Sequence, residues 1–539
     1  MVVLIVALAA LFIPVIYIES AIVRQTGGTF TYPLDDVYIH MSVAKNFAFY
    51  HTWGMDRFEF SSASSSLLYT LLLAGAFRLF SVSVTIPFII NCLAATGLVV
   101  VVQRWLRRQG VGMWGQLLIL SCVVLFTPLP ILVVSGMEHT LQCLFFFLFV
   151  TGFSEWLEKE GGDRLPWPLL LWAMCCCFIR YEGLFPVGIA GLLLMSRRKW
   201  GAAFLLGAAA ILPLFVFGVY SVAKGSYFLP NSVLLKSDGL RPSLSGITSY
   251  AENILVQRLT IVKTDGLAKG VPRPGISLLA TQRLLVFLPV VALIFRRRLQ
   301  EFARYGYFLI LLTGTVLLQL CLASTGWLYR YEAYLIFSTV VILGVLLARY
   351  GKGVVEEIGK RWAVVGFVLM GSFALLFPFV LRSSAAFTKT ATAAVNIHQQ
   401  QYQMGTFLGK YYDSTAVAVN DIGVVSWFSR AHNVDLWGLG SLAVARSRKQ
   451  GYWTPEFLDS LCRRDGVKLA IVFNSWFDDR LLNKWTKVAN WKIPDNVICG
   501  DDNVTFYALD RADASGLLDK LKQYSSQLPT EVMVTYYGL

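Results

Sequence analysis

Long apolar runs separated by short polar ones organise the chain, and those long enough to span a bilayer, or nearly so, fall at about 2–22, 86–103, 115–134, 139–156, 166–179, 184–196, 201–222, 279–295, 304–323, 333–349 and 363–381. The pattern predicts a polytopic α-helical membrane protein with about eleven transmembrane helices, several of them short. The first run, Met1 to Val23, lacks a basic leading segment and a small-x-small cleavage site, so it is expected to stay as a span. One further run, Ser66 to Phe80, is only about fifteen residues long and carries Arg78 near its end.

Charge decides how that run is placed. Basic clusters occur at Arg104, Arg107 and Arg108, at Arg197 to Lys199, at Arg296 to Arg298 with Arg304, and at Arg349, Lys352, Lys360 and Arg361. If 66–80 does not cross, all four share one side, which the positive-inside rule makes cytoplasmic. The run is therefore expected to lie along the outer interface, with the N-terminus inside. The segments 24–85, Ser135–His139, Arg180–Gly183, 223–278 and Gly326–Glu332 then face outward, together with everything from 382 onward. That last region mixes apolar and polar positions, with strand-like runs at Thr415–Asn420 and Lys468–Phe473 and a helical signal at Thr454–Arg464. The expected division is a membrane domain, 1–381, and an extracytoplasmic α/β domain, 382–539, large enough for its own core.

Composition agrees: of 539 residues 56% are hydrophobic and 15% charged, and mean hydropathy is +0.59. A net charge of +14 would point to nucleic acid in a soluble protein, but here the basic residues sit in topological clusters, so no nucleic-acid partner is expected. Seven of the nine cysteines lie in apolar runs; Cys462 and Cys499 alone lie in the outer domain, where a disulfide between them is expected.

Candidate chemistry concentrates on the outward side. Just past the first span come Tyr32, Asp35, Asp36, Tyr38 and His40. Adjacent carboxylates at a membrane surface repel and are partly desolvated, which suits one of them to act as a general base on a hydroxyl; the alternative is an Asp-Asp cap on the amphipathic segment 37–50. Charged residues also mark the outward ends of spans: Glu138 and His139, Arg180 and Glu182, Arg330 and Glu332. Ionisable groups at such depth usually face a cavity or a partner, and arginine matches phosphate oxygens, although snorkelling to the interface explains any single arginine as well. Lys236, in the outer loop after Pro230 and Asn231, is a further lone cation. Asp421, in Val419 to Gly423, and Asp435, in Asn433 to Leu439, read as turn residues at strand ends, the alternative being that they line the acceptor side of a cleft. There is no Walker A sequence, no GxGxxG opening a helix, no H-E-x-x-H and no paired CxxC.

The stretch Leu34 to Asn46 with the serine-rich segment 61–66, and Ser135 to Glu138, Arg180 to Gly183, Leu229 to Asn231, Arg330 with Tyr331, and Asn420 to Gly423, resemble in order the GT-C glycosyltransferases that use polyprenyl-phosphate sugars, most closely the mycobacterial terminal arabinofuranosyltransferases and their bacterial relatives. The resemblance implies a GT-C fold with catalytic aspartates in the first outer loop, two juxtamembrane helices there, and a soluble C-terminal domain beside the cavity. One stretch departs from that pattern: Arg57 to Ser61 stands where a glycine-containing segment is usual, which leaves the sugar open.

The expectation is an inverting transfer of a sugar, such as arabinofuranose, from a polyprenyl-phosphate donor to a glycan, lipid or protein acceptor. Asp35 or Asp36 would be the base; Arg180, Lys236 and Arg330 would hold the leaving phosphate; Tyr38, His40, Glu138, His139, Glu182 and Glu332 would line the cavity. A monophosphate needs no metal where basic side chains suffice, though a divalent ion is compatible with the scheme. The expected location is a bacterial inner membrane, with site and outer domain facing the periplasm. The rival reading is a transporter or flippase for a lipid-linked glycan, which requires charges or broken helices near mid-membrane.

Overall fold

The structure, a computed structural model, describes residues 1–159, 164–236, 283–294, 303–323, 328–358 and 362–538. The membrane region begins with helix α1 (Val2–Gln25), then α2 (Asp36–Tyr50), α3 (Leu67–Leu79) and α4 (Ile86–Arg108). Helices α5 (Met113–Phe126), α6 (Leu129–Val134), α7 (His139–Glu158), α8 (Trp167–Ile179), α9 (Leu184–Ser196), α10 (Trp200–Ala223) and the short α11 (Asn231–Lys236) follow. Later helices cover Arg283–Ile294, Ala303–Leu322, Ala333–Ile358 and Trp362–Ile397. In α1 the residues Val3, Ala7, Leu11, Val15, Ile18 and Ile22 recur at three- and four-residue spacing and are buried, while Ile5, Ile13, Ile16 and Tyr17 are exposed. One stripe meets protein and the rest is left for lipid. Helix α7 packs on α4, α8 and the helices Ala303–Leu322 and Ala333–Ile358, which makes it the centre of the bundle.

Among the described residues six helices are long and apolar enough to cross a membrane: Val2–Gln25, Ile86–Arg108, His139–Glu158, Trp200–Ala223, Arg304–Leu322 and Ala333–Tyr350. Of the eleven runs expected to span, six therefore form helices of this kind. The runs 166–179 and 184–196 form helices of 13 residues each, because the chain turns extended at Arg180 between them. The run 115–134 breaks at Pro128 into α5, of 14 residues, and the wholly buried α6. An apolar run reports burial in protein as readily as contact with lipid. The run 279–295 lies only partly among the described residues. Helix α3, of 13 residues, is roughly 20 Å long, too short to cross, and packs one face on α2 while Leu71, Leu72 and Leu79 are exposed.

The break at Pro128 frees carbonyls at the end of α5, and these are claimed from the helix Trp362–Ile397. Arg382 Nη1 donates to the Phe126 carbonyl at 3.0 Å, and the Ser383 hydroxyl to that of Leu125. That helix has 36 residues, roughly 54 Å, against a hydrocarbon core of about 30 Å, so it runs past position 382 and on through a π-helical turn, His398–Tyr402, into a helix over Gln403–Tyr411. It joins the membrane region to the C-terminal domain without a linker.

The C-terminal domain holds a six-stranded mixed sheet of β1 (Ala416–Val419), β2 (His432–Asp435), β3 (Leu469–Val472), β4 (Thr486–Lys492), β5 (Asn503–Ala508) and β6 (Met533–Tyr536), in the order β2-β1-β3-β5-β4-β6. β1 pairs in parallel with β2 and β3, and the remaining pairings are antiparallel. Alternate residues enter separate cores: Val417, Val419, Leu469 and Ile471 on one face, Ala418, Ala470 and Val472 on the other. Both strand-like runs and the helical signal foreseen at 454–464 are present, the helix Pro455–Arg464 being capped by the Thr454 hydroxyl. The expected disulfide is not: Cys462 and Cys499 are free and belong to the cores on opposite faces of the sheet.

Candidate active site

The segment between α1 and α2 is fixed by Tyr32, whose hydroxyl donates to the Val84 carbonyl at 2.6 Å and whose amide donates to the Tyr38 hydroxyl at 3.2 Å. Its ring lies against Gly136, which has φ +66 and where a Cβ would come within 2.4 Å of the ring. Tyr38 is thereby a buried packing residue between Tyr32 and Phe428, outside the cavity wall.

Asp35 and Asp36 diverge. Asp35 occupies the N-cap position of α2 but makes no cap bond there. Its two oxygens instead accept the amides of Gly423 and Val424, each at 2.8 Å, at the start of the short helix Gly423–Phe428 in the C-terminal domain. A Cβ on residue 423 would fall 2.1 Å from the Asp35 carbonyl oxygen, so only glycine permits this approach. Lys45, three turns along α2, donates to the Trp427 carbonyl at 3.1 Å. One α2 carboxylate thus meets the amide end of that helix and one α2 ammonium its carbonyl end, both favourable for the peptide dipoles.

Asp36 turns the other way, into a cavity of about 350 Å³. Its carboxylate accepts from Arg330 Nη2, and the side chain is 22% exposed where that of Arg330 is 1% exposed. Arg330 also donates to the Tyr331 hydroxyl at 3.2 Å, while its Nε and Nη1 are buried with no hydrogen-bond partner among the described residues. The cavity wall further holds His40, Arg180 and Glu182, the polar Ser65 and Ser232, and on its apolar side Leu184, Phe185, Leu229, Val233 and Leu322. Leu439 closes it from the C-terminal domain.

Arg180 is already matched: Nε and Nη2 grip Glu182 at 3.0 and 2.7 Å, and Nη1 meets Glu138 at 2.7 Å. Glu138 is fully buried and lies 3.5 Å from His40 Nε2, whose Nδ1 is 2.9 Å from the Ser64 hydroxyl. The serine run of residues 61–66 is a buried strap: Ser64 bonds Thr70, and Ser66 bonds the Ile179 carbonyl that leads into Arg180. His139 is buried with its ring 5.8 Å from that of Tyr331, and it does not line the cavity. Glu332 likewise turns away and pairs with Arg382 at 2.8 Å, both almost wholly buried. Lys236 ends α11, and its side chain lies outside the described residues.

Of the residues singled out from sequence, Asp36, His40, Arg180, Glu182 and Arg330 share the cavity wall; Asp35, Glu138 and Glu332 hold its surroundings. Sequence reasoning missed Arg382, which reads as an ordinary span end; the turn read after the strand at Asn433–Asp435 is the loop that brings Leu439 to the cavity. That loop is held by Asp435, which accepts the amides of Trp437 at 2.7 Å and Gly440 at 2.6 Å. Asp421, just past β1, accepts from Gln401 Nε2 at 2.8 Å. Burial, and the charges of Asp36 and Asp435, push its carboxyl up to about 6 against the opposing Gln401 bond; burial and Asp421 likewise push Asp35 up.

The fold and this cavity define a multi-pass helical membrane protein with a C-terminal mixed α/β domain seated over a polar site. Residues 395–507 match a family model described as a domain of unknown function, DUF8728. No curated protein matches the sequence. Among solved structures the chain is similar to the Archaeoglobus fulgidus oligosaccharyltransferase, crystallised with zinc and sulfate, at 10% identity and a TM-score of 0.45 over 97% of this chain and 74% of that one. At that identity the likeness assigns no role to any residue here.

Proposed function

We propose that the protein is a membrane glycosyltransferase that moves a sugar from a polyprenyl-phosphate donor to an envelope glycan, lipid or protein acceptor, on the outer side of a bacterial cytoplasmic membrane. The observation that carries this reading is the pairing inside one cavity of a partly exposed carboxylate, Asp36, with a buried guanidinium, Arg330, that has two donors unmatched among the described residues. A buried donor without a partner is costly, and a phosphate oxygen satisfies it. The apolar wall from Leu184 to Leu322 suits the first part of a lipid tail. The volume falls in the range of small-ligand sites, roughly 300–1,000 Å³.

In this scheme Asp36 removes the proton of the acceptor hydroxyl as its oxygen bonds to the anomeric carbon. The bond from that carbon to the phosphate oxygen breaks, and configuration inverts. The electron pair leaves on the phosphate, where Arg330 stabilises it, with Lys236 as a second cation. Arg180, neutralised by Glu138 and Glu182, shapes the wall and contributes less charge than the sequence implied. No metal is required by these steps. Transport finds less support, because the break between α5 and α6 has its freed carbonyls taken by Arg382 and Ser383 rather than left open to a path.

The test is transfer by the purified protein from a panel of synthetic polyprenyl-phosphate sugars to an envelope fraction, followed by mass spectrometry. A labelled glycan product is expected, and Arg330→Ala should lose donor binding and transfer together. Absence of product from every donor would remove the proposal.

A further inference from the structure

A second cavity, of about 420 Å³, opens where the far end of α2 and the loop after it meet residues 426–431 of the C-terminal domain. The transfer chemistry does not use it. Its walls carry the rings of Phe49, Tyr50, Phe58, Trp427 and Phe428 and three cations, Lys45, Arg57 and Arg430. Lys45 is partly buried, 4.8 Å from the Trp427 ring centroid, and burial followed by the charge of Arg430 pushes its ammonium down to about 8. The one carboxylate in the wall, Asp56, is occupied: it meets His432 at 2.8 Å and accepts the amides of Phe58 and Glu59. Among the described residues no ion pair with a carboxylate is formed by Lys45, Arg57 or Arg430.

Three cations that form no ion pair among the described residues, around one hollow, call for an anion, and flat ring faces suit the C–H faces of a sugar better than an acyl chain, for which among those residues Met55, Val82 and Ala431 offer aliphatic contact. Lys45 lies nine residues beyond Asp36 on the same helix, roughly 14 Å along its axis, a distance an oligosaccharide spans. We infer that this cavity binds an anionic sugar, carrying a carboxylate or phosphate, of the acceptor glycan. The word acceptor rests on the transferase reading; the site does not.

The experiment titrates the full chain in phosphatidylcholine nanodiscs with hexagalacturonate, with neutral maltohexaose, and with phosphatidylglycerol introduced into the disc, reading the heat of binding. Hexagalacturonate should bind at least about tenfold more tightly than maltohexaose, and Arg57→Gln and Arg430→Gln should each weaken it about tenfold. Both side chains are exposed, Arg57 lying 5.0 Å from the Phe58 ring centroid, and a thermal melt of each variant checks that it folds; Lys45→Arg should retain binding that Lys45→Gln loses. Equal binding of neutral and charged sugar, unchanged affinity in the arginine variants, absence of hexagalacturonate binding, or a response to phosphatidylglycerol alone would each overturn the inference. The two readings separate cleanly. Transfer with an acceptor KM unmoved by Arg57→Gln and Arg430→Gln sinks the site alone, whereas the expected binding without transfer from any donor sinks the transferase alone.

Discussion

Asp35→Asn separates a docking role from a chemical one. The carboxylate accepts two amides of the C-terminal domain, and an asparagine in its place can accept only one while turning its NH₂ toward the other. One charge-assisted bond is lost, worth roughly 1.5–3 kcal/mol, and one amide is left facing a donor. Against this, burial and Asp421 already disfavour the ionised carboxylate, so the amide is relieved of part of that opposition. The balance is a loosening of about 1–3 kcal/mol, or roughly 5- to 150-fold faster hydrogen exchange at Gly423 and Val424. Exchange read by mass spectrometry on peptides covering 420–430, in nanodiscs, measures it directly, and transfer should fall only as far as docking does. The reasoning fails if exchange there is unchanged, or if transfer vanishes altogether while the segment stays protected.

Other outcomes follow from the buried charges. For Asp421, raised from 3.8 to about 6, the folded state favours the protonated form, so stability is lost as pH rises from about 4 to about 6; Asp421→Asn should therefore raise Tm at pH 7.5, by up to about 3 kcal/mol of stability, and leave it unchanged near pH 4. Arg382→Ala removes the guanidinium that pairs with Glu332 and the donors to the Phe126 and Tyr329 carbonyls, a loss of roughly 3–5 kcal/mol, and Arg382→Met with Glu332→Leu should recover much of it in thermal melts of the solubilised protein. Thiol titration of the unfolded, unreduced protein should count nine free cysteines, since Cys462 and Cys499 lie on opposite sheet faces.

Hydropathy located the membrane helices and the positions where charge interrupts them, which is why Asp36, His40, Arg180, Glu182 and Arg330 were legible: span ends on one side converge on one cavity. What stayed hidden depends on contacts between distant parts of the chain. Asp35 and Asp36 are equivalent in sequence, and only amides 388 and 389 positions away tell them apart. Glu332 looked like a cavity residue because its partner, Arg382, lies fifty residues on, at the end of an apolar run. The break at Pro128 was written in the chain, with a second proline at 130, but an apolar run through it reads as one span unless the lost amides are counted. The antiparallel half of the sheet was missed because β4 mixes polar and apolar positions and bulges between Lys487 and Ala489.

The central claim is that Asp36 removes the acceptor proton. It is tested most directly by turnover and donor affinity of purified Asp36→Asn in nanodiscs, with a polyprenyl-phosphate sugar the wild type uses. The account predicts turnover lower by roughly 10²–10⁴-fold with donor affinity kept, because a general base contributes in the transition state and not to binding. Near-wild-type transfer by Asp36→Asn would contradict it.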